Sequence, residues 1–141
     1  MTVVKGPSLV KKLEEVVLKF RTNPWAYTSD ISKAFLRIGL QEEDRDYTRF
    51  LWTNSTTEFK PLITYRFRSV LFGSTSSPYL LQATLNYHLD TRHQGNAYAQ
   101  QLKQALYVDN IQGMVSNEDE LVKLYQQANY IFNDVSMPLQ E

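Results

Sequence analysis

The chain has 141 residues, 15 basic and 15 acidic side chains, and no cysteine. That length fits one domain with its own core, and the missing cysteines exclude a thiolate zinc site, a disulfide framework and a cysteine nucleophile. Zero net charge gives no support to strong nonspecific phosphate binding, and no apolar stretch approaches the length of a membrane span.

The opening MTVVKGPSLVKK lacks the apolar core of a secretory signal, so an intracellular, cytoplasmic location is expected rather than secretion. Pro7 suits a first helical position, and Leu9, Val10, Leu13, Val16, Val17 and Phe20 follow at three- and four-residue steps. This pattern predicts an amphipathic helix ending near Asn23 and Pro24. Residues 25–30 predict a short strand. After a turn over DISKAF (residues 30–35), Leu36, Ile38 and Leu40 alternate with Arg37 and Gly39, as in a half-buried strand. Glu42, Glu43 and Asp44 predict a solvated turn. Residues 48–52 and 62–70 predict two more strands around the polar loop NSTTEFK. In the second of these, Tyr65 and Phe67 alternate with Arg66 and Arg68, giving an aromatic face and a cationic one.

A loop of glycine and hydroxyl residues at 73–77 precedes Pro78, which suits the start of a helix running past Leu89 toward Gly95. Residues 100–115 predict a hairpin with Asp109 and Asn110 at its tip. Ser116 or Asn117 can cap the next helix, Asn117 with Glu120 having the spacing of a capping box, and Leu121, Leu124, Tyr125, Ala128, Ile131 and Phe132 predict its buried stripe. Residues 137–141, with Pro138, are a candidate edge strand. The sum is an α+β fold, an antiparallel sheet with helices packed on one face, as a single domain over residues 1–141.

Chemistry concentrates in three strings: DISKAF, LFGSTSSP (residues 71–78) and YVDN (residues 107–110). Asp30 and Asp109 lie 79 positions apart, each after a strand-like segment. If those strands are neighbours, the two carboxylates can share hard divalent ions such as magnesium. Taken singly, Asp30 reads as a helix cap and Asp109 as a hairpin residue; only their combination points to a site. His88 and His93 are five apart, not the four of paired helical metal ligands, and read as structural or surface residues. Charge is also uneven. Residues 1–70 hold 12 Lys/Arg against 8 Asp/Glu, and residues 71–141 hold 3 against 7.

In this order the strings resemble the palm of a reverse transcriptase, and they most resemble the Bel/Pao group of long-terminal-repeat retrotransposons. GPSLVKKLEEVVLKFR looks like the helix before the palm, and DISKAFLRIGLQEEDRDYTRFLW resembles the first catalytic block. YRFRSVLFGSTSSPYLLQATLNYHL is similar to the block against nucleotide and template, YVDN stands where YVDD is usual, and LYQQANYIFNDVSMPLQE resembles the helix and strand after it.

The resemblance implies RNA-directed DNA polymerase activity, with Asp30 and Asp109 as catalytic metal ligands, the Ile31 carbonyl as a third donor, and two Mg2+ ions. Phe35 corresponds to the steric gate against a ribose 2′ hydroxyl, with a core phenylalanine as the alternative. Phe72 and Gly73 correspond to the turn under the incoming nucleotide. Arg66, Arg68, Gln82 and Tyr107 are the candidate template-primer contacts; Gln82 alternatively reads as plain surface and Tyr107 as sheet packing. The implied partners are an RNA or DNA template-primer and deoxynucleotide triphosphates. Asn110 departs from the pattern, because an amide keeps the shape of a carboxylate but loses its charge. The resemblance also places the segment after the fingers and before the thumb and RNase H. The expectation is therefore a piece of a polyprotein, prone to self-association through uncovered surface and impaired on its own. The alternative is a non-catalytic RNA- or protein-binding module derived from a palm.

Overall fold

A computed structural model describes residues 5–19, 21–54 and 61–140. Its centre is an antiparallel sheet of β1 (Trp25–Ile31), β4 (Leu106–Tyr107), β5 (Asn110–Val115) and β6 (Leu139–Gln140), in the order β4-β5-β1-β6. A separate two-stranded ribbon pairs β2 (Arg49–Trp52) with β3 (Ile63–Arg66). The expected α+β arrangement is observed, with helices packed against the sheet.

Side chains alternate between the faces of a strand, and the β1–β5 register sorts them. Tyr27 pairs with Gly113, Ser29 with Ile111, and Asp30 with Asn110. Ile31, Ile111 and Val115 therefore enter the core, while Thr28 and Asp30 point to the other face. Against the core face lie α2 (Ser77–Thr91), α3 (Ala97–Ala105) and α4 (Glu118–Asp134). Leu81, Leu85 and Leu89 recur every four residues on α2 and are fully buried. Each such leucine contributes about 1.5–3 kcal/mol through burial. Leu124, Ala128, Ile131 and Phe132 form the buried stripe of α4, with Leu121 half-buried, whereas Tyr125 is exposed. The Asn117 side chain accepts from Glu120 N–H at 2.9 Å, and Glu120 reaches back to Ser116 N–H at 3.1 Å, so the predicted cap forms.

Several local expectations change. The first helix, α1, covers only Leu13–Lys19, and Val16 alone of its described apolar side chains is buried. The stripe has too little partner surface, and Leu18 remains 70% exposed. Phe20 lies outside the described residues. This region is held instead by Lys11, whose ammonium donates to the carbonyls of Lys103 (3.0 Å) and Gln104 at the C-terminal end of α3, where a cation is favoured. The expected strand from Leu36 begins as a 3-10 turn, Ala34–Arg37, because Lys33 takes a left-handed conformation and swings Ala34 and Phe35 into the core. Only then does the chain extend, with Val70 N–H bonded to Ile38 and Leu40 N–H to Arg68, both at 2.9 Å.

The acidic segment at 42–44 opens a 3-10 helix, Glu42–Thr48, not a simple turn. Residues 55–60 of the expected loop lie outside the described residues. Helix α2 stops at Thr91. Residues 100–105 belong to α3, whose start is fixed by Asn96 accepting from Tyr98 and Ala99 N–H. The hairpin is consequently shorter than predicted and its tip is Val108–Asp109, one residue earlier.

Gly113 makes room for the Tyr27 ring across the strand pair; a β-carbon there would collide with it. The cost is a buried Tyr27 hydroxyl with no hydrogen-bond partner among the described residues. Burial pushes this phenol up to about 12 from its usual 10.0. An unfolded chain releases the proton near 10.0 while the folded chain holds it to about 12. Stability therefore falls as pH rises through that window and is untouched below it. Tyr27→Phe is expected to be neutral or stabilising by up to about 1 kcal/mol near neutral pH. It should also lose less stability than the unsubstituted chain between about pH 9 and about pH 11 in urea unfolding; equal losses would contradict this assignment.

Candidate active site

Asp30 is the penultimate residue of β1, directly across from Asn110, the first residue of β5. The Ile31 N–H donates to the Asp109 carbonyl at 2.8 Å. This bond, one step beyond the Asp30–Asn110 pair, makes that pair the non-hydrogen-bonded kind, whose Cα atoms lie about 4.5 Å apart and whose side chains are closest. On the other side, β6 braces the same strand end. Gln140 pairs with Asp30, its carbonyl accepts from the Ser29 hydroxyl at 2.8 Å, and its amide donates to Ser32 at 3.2 Å.

Asp109 sits at the second position of the two-residue turn. The first, Val108, has φ 56°, and Asp109 does not share a positive φ. That is the sense of a type II′ turn, which favours glycine at its first position. A β-branched residue there costs of order 1–3 kcal/mol and persists only where its surroundings impose it. Val108 is held by the β4–β5 pairing and by packing against the core. The second strained residue nearby is Lys33, at φ 54° three positions after Asp30. Strained backbone thus brackets both aspartates.

Asn110 donates its amide hydrogen to Asp109 Oδ1 at 3.1 Å. A carboxylate oxygen that could face a cation is thereby engaged by a neutral donor. The remaining donors suit a hard divalent ion: Asp30 is exposed, Asp109 is half-buried, and both offer oxygen. Around them, Phe35 is buried in the main core and meets Phe72 edge-on, with ring centroids 5.4 Å apart. Phe72 is 82% exposed, and Gly73 follows with φ 88° and open space where a side chain would stand. Tyr107 is half-buried and pairs with Asn110. The side chain of Ile31 is buried.

The predicted template-primer residues lie in different settings. Gln82 is not on the surface; it is 5% exposed and its amide donates to Asn86. Arg66 stands across β2–β3 from Arg49, a repulsive pair that Asp46 bridges at 2.7 and 2.8 Å. Glu42 adds a further contact to Arg66 at 3.0 Å. The Asp46 carboxyl is held below its usual range by the hydrogen bond from Arg66 first and that from Arg49 second. Arg68 is exposed, and its carbonyl accepts from Leu40 N–H.

The structure also assembles a cluster that sequence spacing did not find. His88, in the last turn of α2, His93, just beyond that helix, and Asp134, the last residue of α4, come together. A spacing of five misleads because α2 ends between the two histidines.

Among curated proteins, none matches the chain. Residues 2–141 match the family described as Reverse transcriptase (RNA-dependent DNA polymerase), whose domains bind a template-primer and deoxynucleotide triphosphates and use divalent metals. With almost the full length covered, the chain belongs to the reverse transcriptase family.

Proposed function

We propose that residues 1–141 form one palm-like domain of a retrotransposon RNA-directed DNA polymerase, of the Bel/Pao type. In this reading Asp30 and Asp109 are the acidic ligands of two magnesium ions, with the Ile31 carbonyl alongside. The observation that carries it is the close Asp30–Asn110 pair, locked by the Ile31-to-Asp109 hydrogen bond. Bound divalent ions would activate the primer hydroxyl and neutralise charge on the triphosphate. Motifs from YRFR to YVDN support the retrotransposon lineage.

The protein's own part is positioning and charge. Phe35, pinned by the core and by Phe72, presents a rigid edge against a ribose hydroxyl. Gly73 lets the nucleotide approach the backbone closely. Tyr107, half-buried, would meet the template-primer from beside this floor, whereas Gln82 is buried and bonded to Asn86 and does not reach it. Asn110 weakens the site twice: it removes one negative charge and it occupies Asp109 with a donor. The domain is therefore impaired in metal binding.

A second reading has its own observation. The β2–β3 ribbon exposes Phe50, Trp52, Tyr65 and Phe67 beside its arginines, with Phe50 and Tyr65 stacked at 5.8 Å. Bases can stack on such rings without any metal. The ribbon would then bind RNA even where polymerisation fails.

Primer extension on a primed RNA template, by the domain joined to fingers and thumb segments, separates the readings. Asn110→Asp is expected to raise incorporation about 10- to 100-fold, the size of effect seen when groups around a metal site are altered, and adding Asp109→Asn to it should abolish the gain. No gain from the restored carboxylate counts against the metal site. For the ribbon, Asp46→Asn with Glu42→Gln removes the acidic partners of Arg49 and Arg66, and RNA affinity measured against salt is expected to rise and to steepen by about 0.7 per added phosphate contact. An unchanged slope, or no RNA binding once metals are chelated, removes the second reading.

A further inference from the structure

We propose that His88, His93 and Asp134 form a second metal site, selective for zinc-like divalent ions, where the C-terminal ends of α2 and α4 meet. One ligand atom from each residue lies within 4.8 Å of the others. The set is two imidazoles and a carboxylate, which suits Zn2+ and its neighbours better than magnesium. It is chemically distinct from the all-oxygen donors at Asp30 and Asp109.

Each ligand carries a mark of the role. His88 Nε2 lies 2.9 Å from the Ile131 carbonyl, in the buried interior. A carbonyl only accepts, so Nε2 donates to it, and in the neutral imidazole that metal binding requires the lone pair sits on Nδ1. A backbone carbonyl behind the imidazole is the usual support of a metal-bound histidine. His93 is 8% exposed, yet its Nε2 makes no hydrogen bond among the described residues. Asp134 Oδ2 stands only 3.4 Å away, so the two atoms are close without being aligned on each other. Two ligands of a tetrahedral zinc with bonds of roughly 2.0–2.1 Å lie roughly 3.4 Å apart, so both atoms are spaced to share an ion between them. Tyr130 flanks the His93 ring at 5.8 Å and His88 meets it edge-on at 4.9 Å, which limits its movement.

Electrostatics point the same way. The C-terminal end of α4 and the last turn of α2 come together here, and the negative ends of helix dipoles favour a cation. Asp134 adds a full negative charge at the end of α4, with no basic residue in that last turn. Alone, that placement is unfavourable; a divalent ion removes the conflict. The Asp134 side chain is 46% exposed, which leaves a route for the ion and a fourth position for water. Bound there, the ion would tie α2 to α4 in a protein that has no cysteine with which to do so.

Chelator-stripped chain titrated with ZnCl2 is expected to melt roughly 5–10 °C higher at a hundredfold excess over Kd. The Asp30→Asn/Asp109→Asn chain should show the same rise. His93→Gln and Asp134→Asn should each weaken zinc affinity by at least about tenfold. Cobalt(II) added to the unsubstituted chain should give the strong visible absorption of a four-coordinate ion, which serves if His93→Gln does not fold. The proposal is overturned if zinc leaves the melting temperature unchanged, if Asp134→Asn retains the full rise, if the rise needs Asp30 and Asp109, or if cobalt shows only its weak six-coordinate spectrum. A bare His–Asp ion pair would give the first of these results.

Discussion

The pairing of β1 with β5 is the constraint on which the rest depends. Its register puts Ile31, Ile111 and Val115 into the core and, by the same two-residue alternation, Asp30 onto the opposite face beside Asn110. A slip of one residue would bury the aspartate and expose the isoleucines. Burial of apolar side chains under α2, α3 and α4 thus fixes the position of the polar site on the far side. The hydrophobic core and the chemistry are consequences of a single register.

Local strain is concentrated where that register ends. Val108 occupies a turn position that suits glycine, and Lys33 takes a left-handed conformation after β1. Neither arrangement is favourable alone; each is imposed by the neighbouring strand pairs and core contacts. The two strained residues flank the aspartates at the end of β1 and in the turn before β5. Asn110 fits this frame sterically, since an amide has the shape of a carboxylate. What it changes is charge and hydrogen-bond direction: it donates to Asp109 where a carboxylate would repel it and attract a cation.

Much of the fold was legible because patterning and local chemistry agreed. The α4 stripe, its Asn117 cap, Pro78 at the start of α2 and the strand at Trp25–Ile31 all follow from periodicity or capping. The strand that precedes Asp109, β4, is not the neighbour of β1 that the paired-aspartate reading required; β5, the strand that follows Asp109, lies between them and pairs with β1. Failures arose where tertiary contacts override local signals. Leu9 to Val17 have helical spacing but little surface to bury it, so α1 is short. Leu36 to Leu40 alternate like a strand, yet the turn imposed at Lys33 bends their first half into a 3-10 helix. Asn96 captured residues 97–105 for a helix and shortened the hairpin. His93 was overlooked because its partnership with His88 and Asp134 is made across the end of a helix, where no fixed spacing applies.

The central claim is that the tips of β1 and β5 form a divalent-cation site weakened by Asn110. Paramagnetic broadening of backbone amide resonances during Mn2+ titration tests it most directly. The account predicts that Ile31 and Asp109 broaden first, and at a lower Mn2+ concentration in Asn110→Asp than in the unsubstituted chain. With His93→Gln in both proteins to remove the second cation site, broadening that begins elsewhere, such as at the acidic start of α4, or that is identical in the two proteins, would contradict it.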